Sequence, residues 1–575
     1  MRVPILIPSK HTSSGFALMA VLIFSSISLL LLSGALSWTS TNSRLTNRHI
    51  EYLKNLAIAE AATEKVLSHL HRDFMTQGEP LVASRIESYR TLVPEHSEWS
   101  TVQFMDKSGE TGKTHVRKLS SSRFEVIDSI YRGLKGMTSD YRIESYVQNG
   151  SQTIGIRQDI QLTTIPVFQF AVFYSLDLEI HPENPMSIDG RIHSNGNIFC
   201  APGNYLTFND HVTASGNLLL KGHPKDPRIR NPGLVSFEKE QDGGVASLTL
   251  PIHSEQLKTS PREILEIPPP TESPNSAIGR HRYYNKADII IKIGKQNLTV
   301  TSGRFNNFST TIPQSQWKSF LQSGLQFRDK RQKQFVLCTD LDVGGLDKWN
   351  STNTILRDVL DRDLSTLFIY DTRPNSADAL HAVRLKNGRT LPASGLTVAT
   401  PNPLYIWGDY NLKSESDQES DATNGKPASI AADAVTILSS AWLDERSALK
   451  VSVRRAKDTT IQAALLSGIV PTTHFGSYGG GLENFPRLLE NWQDKVFTYR
   501  GSMVALFPSV HALSVWKRKD IFRPPVRRWS FNSDYLEADK LPPSTPMIPR
   551  LIRNRWTTLS KEDMDREDSP DFTKN

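Results

Sequence analysis

The sequence predicts an α+β protein that is mainly β, in which a long N-terminal, membrane-anchored helix precedes a β-rich exported body. Three observations predict it. The run "FALMAVLIFSSISLLLLSGAL", Phe16 to Leu36, holds no charge, and at about 1.5 Å per residue it matches a hydrocarbon layer of roughly 30 Å. Beyond it, apolar residues keep a helical step to about Phe74. From about residue 76 the apolar period shortens to two, the signature of strands.

Composition agrees with a folded body. The 575 residues are 38% hydrophobic and 22% charged, enough for two or three domains with real cores. The net charge of +7 is modest, so clusters matter more than the total. The two cysteines, Cys200 and Cys338, make no disulfide framework and have no metal-ligand neighbours in sequence, so neither metal nor cofactor is expected.

The N-terminal stretch allows three readings. Arg2 and Lys10 precede the apolar run, Arg44 and Arg48 follow it, and no acidic residue occurs before Glu51, so charge bias orients it weakly. A short basic leader before an apolar segment exports the chain behind it. A secretory signal cut after Ala35 is one reading, though the run is long for it, and an uncleaved anchor is another. The third starts from the polar leader ending in Gly15, with the apolar helix opening at Phe16. "GFALMAVLIF" resembles the class III leader of type IV pilins and pseudopilins, and "NLAIAEAATEKVLSHL" (55 to 70) resembles the segment after the anchor in PilX-type minor pilins. The resemblance implies cleavage of the Gly15–Phe16 bond by prepilin peptidase. It also implies other pilins and an assembly platform as partners. Ala20 departs from the pattern: it is the fifth residue from Phe16, where major pilins carry a glutamate. A minor subunit at a filament tip fits that absence.

The apolar stripe Leu45, Leu53, Leu56, Ala59, Thr63, Val66, Leu67 and Leu70 predicts that the anchor continues as an amphipathic helix. Ser25, Ser26, Ser28, Ser33 and Gly34 permit close helix approach within the membrane run. The chain thus divides into a leader (1–15), a transmembrane and amphipathic helix (16–75), a small β-rich domain (76–164), a β-rich body with loop insertions (165–546) and a tail (547–575) that ends in disorder.

"YRIESYVQNGSQTIGIRQDIQL" (141 to 162) reads as a hairpin about Asn149-Gly150. "RIHSNGNIFC" (191 to 200) and "HVTASGNLLL" (211 to 220) then align at an offset of 20, sharing Gly196-Asn197 and Gly216-Asn217. The offset favours stacked coils of a parallel β-helix, with two separate hairpins as the alternative. Strand-like runs come next at 287–303, 402–412, 433–442, 461–473 and 500–509. They are interrupted by a Pro-rich loop or linker (267–276) and a polar loop (414–427). From about 165 to 546 the order of segments, including "GGLENFPRLLENW" and "PPVRRWSFNSDYLEADKLPPSTP", resembles large PilX-like bacterial envelope proteins.

No H-x-x-x-H, C-x-x-C, G-x-S-x-G or phosphate-loop spacing occurs, and His193, His211, His381 and His474 stand alone, as structural or exposed side chains do. Because β-helices host carbohydrate-active enzymes, Asp189, Asp210, Asp409 and Asp433 are the carboxylates an enzyme would use, a pair of them about 5 to 9.5 Å apart on one face. The basic run "WKRKDIFRPPVRRW" sets Lys517, Arg518, Lys519, Arg523, Arg527 and Arg528 between Trp516 and Trp529, a pattern suited to nucleic acid or acidic glycan. The favoured reading is a solvated edge whose arginines pair with carboxylates such as Asp520, Asp534 or Glu537. The expected function is therefore a non-enzymatic minor pilin-like component of a type IV pilus or type II secretion-like system, acting in assembly or tip display. It would sit in the bacterial inner membrane by one span with its body in the periplasm or at the cell surface, or be incorporated in a pilus. The alternatives are an adhesin or DNA or glycan receptor on the same anchor, and then a cell-surface carbohydrate-active enzyme.

Overall fold

The structure, a computed structural model, describes residues 14–127, 133–150, 152–226, 232–251, 260–295, 297–303, 310–353, 360, 362–412, 425–516 and 520–564. It is mainly β with one long N-terminal apolar helix, α1 (Ser14–Gln77). No proline interrupts residues 9–79, so the apolar run stays helical, and Ser25 and Ser26 satisfy their hydroxyls on the carbonyls of Val21 and Leu22. The helix stops at Gly78, whose φ of +76° suits glycine and whose N–H donates to the Phe74 carbonyl at 2.8 Å.

Two halves of α1 have different surroundings. Ile58, Ala59, Ala62, Val66, Leu67, Leu70 and Phe74 are buried against an antiparallel sheet, in contact with Phe104, Tyr141, Ile143, Val147, Ile156, Ile160 and Leu162. N-terminal to Asn55 the helix is uncovered. Leu45 and Leu53, expected in the buried stripe, are 57% and 50% exposed, because the sheet ends where Asn149 Nδ2 donates to Asn55 Oδ1.

That head sheet is built on the predicted hairpin. Lys135–Asn149 and Gln152–Pro166 pair antiparallel from Met137↔Thr164 to Asn149↔Gln152. Gln103–Met105, His115–Lys118 and Arg123–Val126 add to the first of these strands. Two findings differ from expectation. Residues following α1 form short helices, Glu79–Ser84 and Ile86–Arg90, which bury Val82 and Tyr89 on α1 before any strand begins. The segment read as a tail contains a strand, Met547–Ser560, paired antiparallel with Gln152–Pro166. Its arginines, Arg550, Arg553 and Arg555, hid the alternation, and charge is what an edge strand carries. Residues 565–575 lie outside the described residues.

In the body the chain visits three parallel sheets in turn. Val172–Tyr174, Leu178–Ile180 and Met186–Ile188 are followed by Ile192–Ser194, Ile198–Cys200 and Tyr205–Phe208, each pairing parallel with its predecessor. Val212–Ala214, Leu218–Leu219 and Leu234–Phe237 make the next layer. The offset of 20 is therefore a pairing register, Ile192↔Val212 and Ile198↔Leu218, and the strands are not arranged as separate hairpins. At the corner, Asp177 Oδ1 accepts from Asn197 N (2.7 Å) and Asn197 Oδ1 accepts from Asn217 N (3.0 Å). The layers approach so closely that a Cβ on Gly196 would lie 2.4 Å from Asp177 Oδ1, and one on Gly216 2.6 Å from Asn197 Oδ1, which explains the repeated Gly-Asn pair.

A second tract, residues 366–505, stacks the same way, through Thr366–Asp371, Leu396–Ala399, Ala428–Ala432, Ala464–Ser467 and Met503–Ala505. Met503–Ala505 then pairs with Val172–Tyr174, so the tract later in sequence precedes the earlier one in space. Among the described residues no sheet closes on itself. Alternation divides the long sheet's two faces: Val172, Tyr174, Leu465 and Met503 face the interior core, while Phe173, Leu466 and Val504 lie under a cover that includes Leu248, Ile264, Leu265 and Tyr535. The Pro-rich loop belongs to that cover. Glu272 in it pairs with buried Arg282 at 2.6 Å, so it is a pinned loop. Most of the polar loop, 413–424, lies outside the described residues.

Candidate functional site

The strand Val526–Phe531 pairs parallel with Val496–Gly501 and alternates in exposure, so Arg527 and Trp529 share one side and Val526, Arg528 and Ser530 the other. It forms a wall of a cleft of about 950 Å³. Other walls come from residues 181–187 and 201–203 of the first two layers, from Tyr478, Glu483 and Asn484, and from Trp516, Phe522, Pro524 and Pro525.

Aromatic rings define the cleft. Trp529 meets Phe497 and Tyr499 edge-on, each at 6.2 Å between centroids, and the Arg527 guanidinium lies 5.4 Å from the Trp529 ring. Trp516 stands edge-on to Tyr478 at 5.7 Å, and His181 stacks on the same tyrosine at 5.6 Å. Two glycines allow this approach: a Cβ on Gly480 would lie 3.0 Å from Trp516 Cδ1, and one on Gly481 2.6 Å from the Tyr478 hydroxyl. Arg527 donates to the Glu483 carbonyl at 2.8 Å. Of the acids expected to hold the arginines, Asp534 lies beside Arg500 and Lys540, and Glu537 bonds Lys135 at 2.8 Å. Such a surface can stack flat rings, and its two arginines share the lining with the carboxylates of Glu183 and Glu483.

The cleft thus unites Trp516, Arg527, Arg528 and Trp529 from the basic run. Arg523 is exposed outside its lining, and Lys517, Arg518 and Lys519 lie outside the described residues. Gly15 and Phe16 stand at the start of α1, with Phe16 77% exposed and Ala20 half-buried.

The four aspartates have separate attachments. Asp189 accepts from Asn209, Asp210 from His211 and Lys239, and Asp409 from Arg389 and the Thr460 amide. Asp433 is fully buried, paired with Arg262 at 2.7 Å and accepting the amides of Val510 and Ala512. His193 lies between Thr213 and Asn195, and burial lowers its pKa to about 4. His211 bonds Asp210, His381 lies beside Asp371, and His474 bonds Thr473.

Sequence reasoning missed His181, Tyr478 and Glu483, which reach the cleft from distant parts of the chain. It also missed a group beside it: Glu179, His181 and Asp226 bring ligand-type atoms within 4.8 Å of one another. Two carboxylates and an imidazole are a donor set for a divalent cation. The i, i+2 step from Glu179 to His181 along an extended segment was the sole local signal.

No family model and no curated protein matches the chain. Among solved structures, the competence-associated pilin ComZ from Thermus thermophilus is similar at a TM-score of 0.26 and 9% identity, over 88% of this chain and 97% of that one. At that score the superposition carries no argument about either fold or role. Fold and site themselves define a class: a mainly β protein on one long N-terminal apolar helix, bearing an aromatic cleft with two arginines in its lining.

Proposed function

We propose that the chain is a pilin-like, membrane-anchored subunit whose body is a parallel β-helix displayed outside the inner membrane, acting in filament assembly or tip display rather than catalysis. The observation that carries this reading is the division of α1. Its apolar first half is uncovered and available to a bilayer or to neighbouring helices, while its second half is the backbone of its own head domain. The leader resemblance at Gly15–Phe16 supports processing by prepilin peptidase, with other pilins and an assembly platform as partners. The three sets of parallel strands, visited in order, support the β-helix. N-terminal sequencing of the protein from its native membrane tests the reading: a mature chain starting at Phe16 is expected, with the leader retained when Gly15 is replaced by a bulky residue. A mature terminus at Leu36 would mean ordinary secretion and would end it.

The cleft favours a second reading, a receptor on the same anchor. Aromatic faces beside Arg527 and Arg528 suit an acidic glycan or a single-stranded nucleic acid.

A further inference from the structure

The turn between strands Leu321–Asp329 and Gln334–Asp342 carries Arg331 into the interior. Asp329 fixes that turn: its Oδ1 accepts the amides of Arg331 (2.7 Å) and Gln332 (2.9 Å), and its Oδ2 accepts the Tyr405 hydroxyl (2.7 Å). Arg331 is 4% exposed. Its Nη2 donates to the Gly479 carbonyl at 2.9 Å, whereas Nε and Nη1 have no hydrogen-bond partner among the described residues. Arg487, on strand Pro486–Leu488, is also 4% exposed and spends its Nη1 and Nη2 on the Ala512 carbonyl and the Ser509 hydroxyl. Neither arginine forms an ion pair among the described residues.

Both arginines line one cavity of about 590 Å³, which meets the aromatic cleft at Asn484. Lys225 adds a third cation to its wall. Two carboxylates share the wall, Asp177 accepting from Asn197 and Glu179 from the hydroxyl of Thr472 on the same wall, and neither forms an ion pair with Arg331 or Arg487. Buried guanidiniums ordinarily meet a carboxylate, because an uncompensated buried charge is strongly unfavourable. Burial, and then the adjacent Arg487, push the Arg331 guanidinium down to about 9 against the attraction of Asp329, and burial lowers Arg487 as well, against Asp433 and Asp329. A cavity of this volume admits a small organic ligand.

We propose that Arg331 and Arg487 form an oxyanion site that takes one carboxylate or phosphate group of a ligand entering this cavity, Arg331 Nε and Nη1 supplying its free N–H donors. The inference stands apart from the pilin-like reading, since it concerns a site within the body and holds whatever the anchor does. Carboxylate and phosphate both accept donors from a planar guanidinium fork. A sugar acid and a phosphorylated compound are therefore the two sources to separate.

The full chain in detergent micelles is titrated calorimetrically with sodium D-glucuronate and, separately, with inorganic phosphate, against sodium chloride at equal ionic strength, and its melting is followed with each. Saturable binding and a raised Tm are expected with at least one of the two, glucuronate marking a sugar acid and phosphate a phosphorylated ligand. Arg331→Met should weaken that binding by about tenfold or more, the order expected for losing a charge-assisted hydrogen bond. Without anion the same variant should melt above the unsubstituted protein, because a buried charge without a partner is gone. Arg331→Lys keeps the charge but not the fork and should also bind more weakly; it decides the matter if the methionine variant misfolds. The proposal is overturned if neither anion binds beyond chloride, or if the Arg331 variants that fold bind as the unsubstituted protein does. A lower melting temperature of Arg331→Met without anion would make the arginine a structural brace and also overturn it.

Discussion

Glu490 is 1% exposed, and its carboxylate accepts the amide and hydroxyl of Ser439 at 2.6 and 2.8 Å. Desolvation outweighs those bonds and the attraction of Arg454, raising its pKa from 4.5 to about 7. Between those values the folded protein binds the proton that the unfolded chain has released, so stability falls as pH rises through this window. The contribution is fully present below about pH 4.5 and lost above 7. At ~1.36 kcal/mol per pH decade the loss is about 3 kcal/mol. Glu490→Gln is neutral throughout and can still accept the Ser439 amide. Its stability relative to the unsubstituted protein should therefore rise by about 2.5 kcal/mol between pH 5 and 8.5. The assay is urea denaturation of the chain from residue 45 onward, followed by its tryptophan fluorescence, to which buried Trp442 and Trp492 contribute. A difference between the two proteins that does not change with pH would refute the reasoning, because any other titrating group is common to both.

Gly216→Ala forces its Cβ to within 2.6 Å of Asn197 Oδ1, so the first tract should lose about 1 to 3 kcal/mol, read as a lower urea midpoint. Arg384 is 1% exposed and holds Asp340 through two bonds and Asp444 through two more, so Arg384→Met leaves Asp340 buried with the Cys338 thiol and Lys386, each at 3.6 Å. That variant should lose about 3 to 5 kcal/mol, by the same assay. The chain from residue 45 should bind single-stranded DNA weakly and without dependence on Trp529. Submicromolar binding at physiological salt, lost when Arg527 and Arg528 become alanine with the fold intact, would instead make the chain a receptor.

What the sequence disclosed was local. The uninterrupted helix was legible because no proline lies between Pro8 and Pro80, and the hairpin because Asn149-Gly150 names its own turn. Gly196-Asn197 and Gly216-Asn217 even carried the register of neighbouring strands, since a Cβ at either glycine would collide with the layer below. Contacts between distant segments left no such mark. Nothing in Val172–Tyr174 announces Met503–Ala505 as its neighbour, and nothing in "RDKRQKQ" shows that Arg331 turns inward while the adjacent lysines do not. The cleft was half legible: the basic run supplied Trp529 and both arginines, but its opposite wall comes from the turns of the first two layers, whose composition is that of ordinary loops.

Those long-range contacts decide how α1 and the body are joined. The chain leaves the head at Pro166 and returns to it at Met547, and these two residues are themselves partners in the head sheet. A load on α1 passes into the head through its buried stripe and through Glu64, which Arg553 of the returning strand grips with both terminal nitrogens at 2.6 and 2.9 Å. From the body side, Arg280 donates to the carbonyls of Thr76 and Gln77, acceptors that the end of a helix leaves unsatisfied. Ile165 and Ile548, one from each crossing strand, enter the same apolar cluster as Phe173, Leu466 and Val504 of the long sheet. Head and body therefore share a core as well as two chain crossings. Displacing one against the other would expose apolar surface and break paired strands together, so the uncovered half of α1, and not the head–body junction, is the part of the molecule free to take up a new environment.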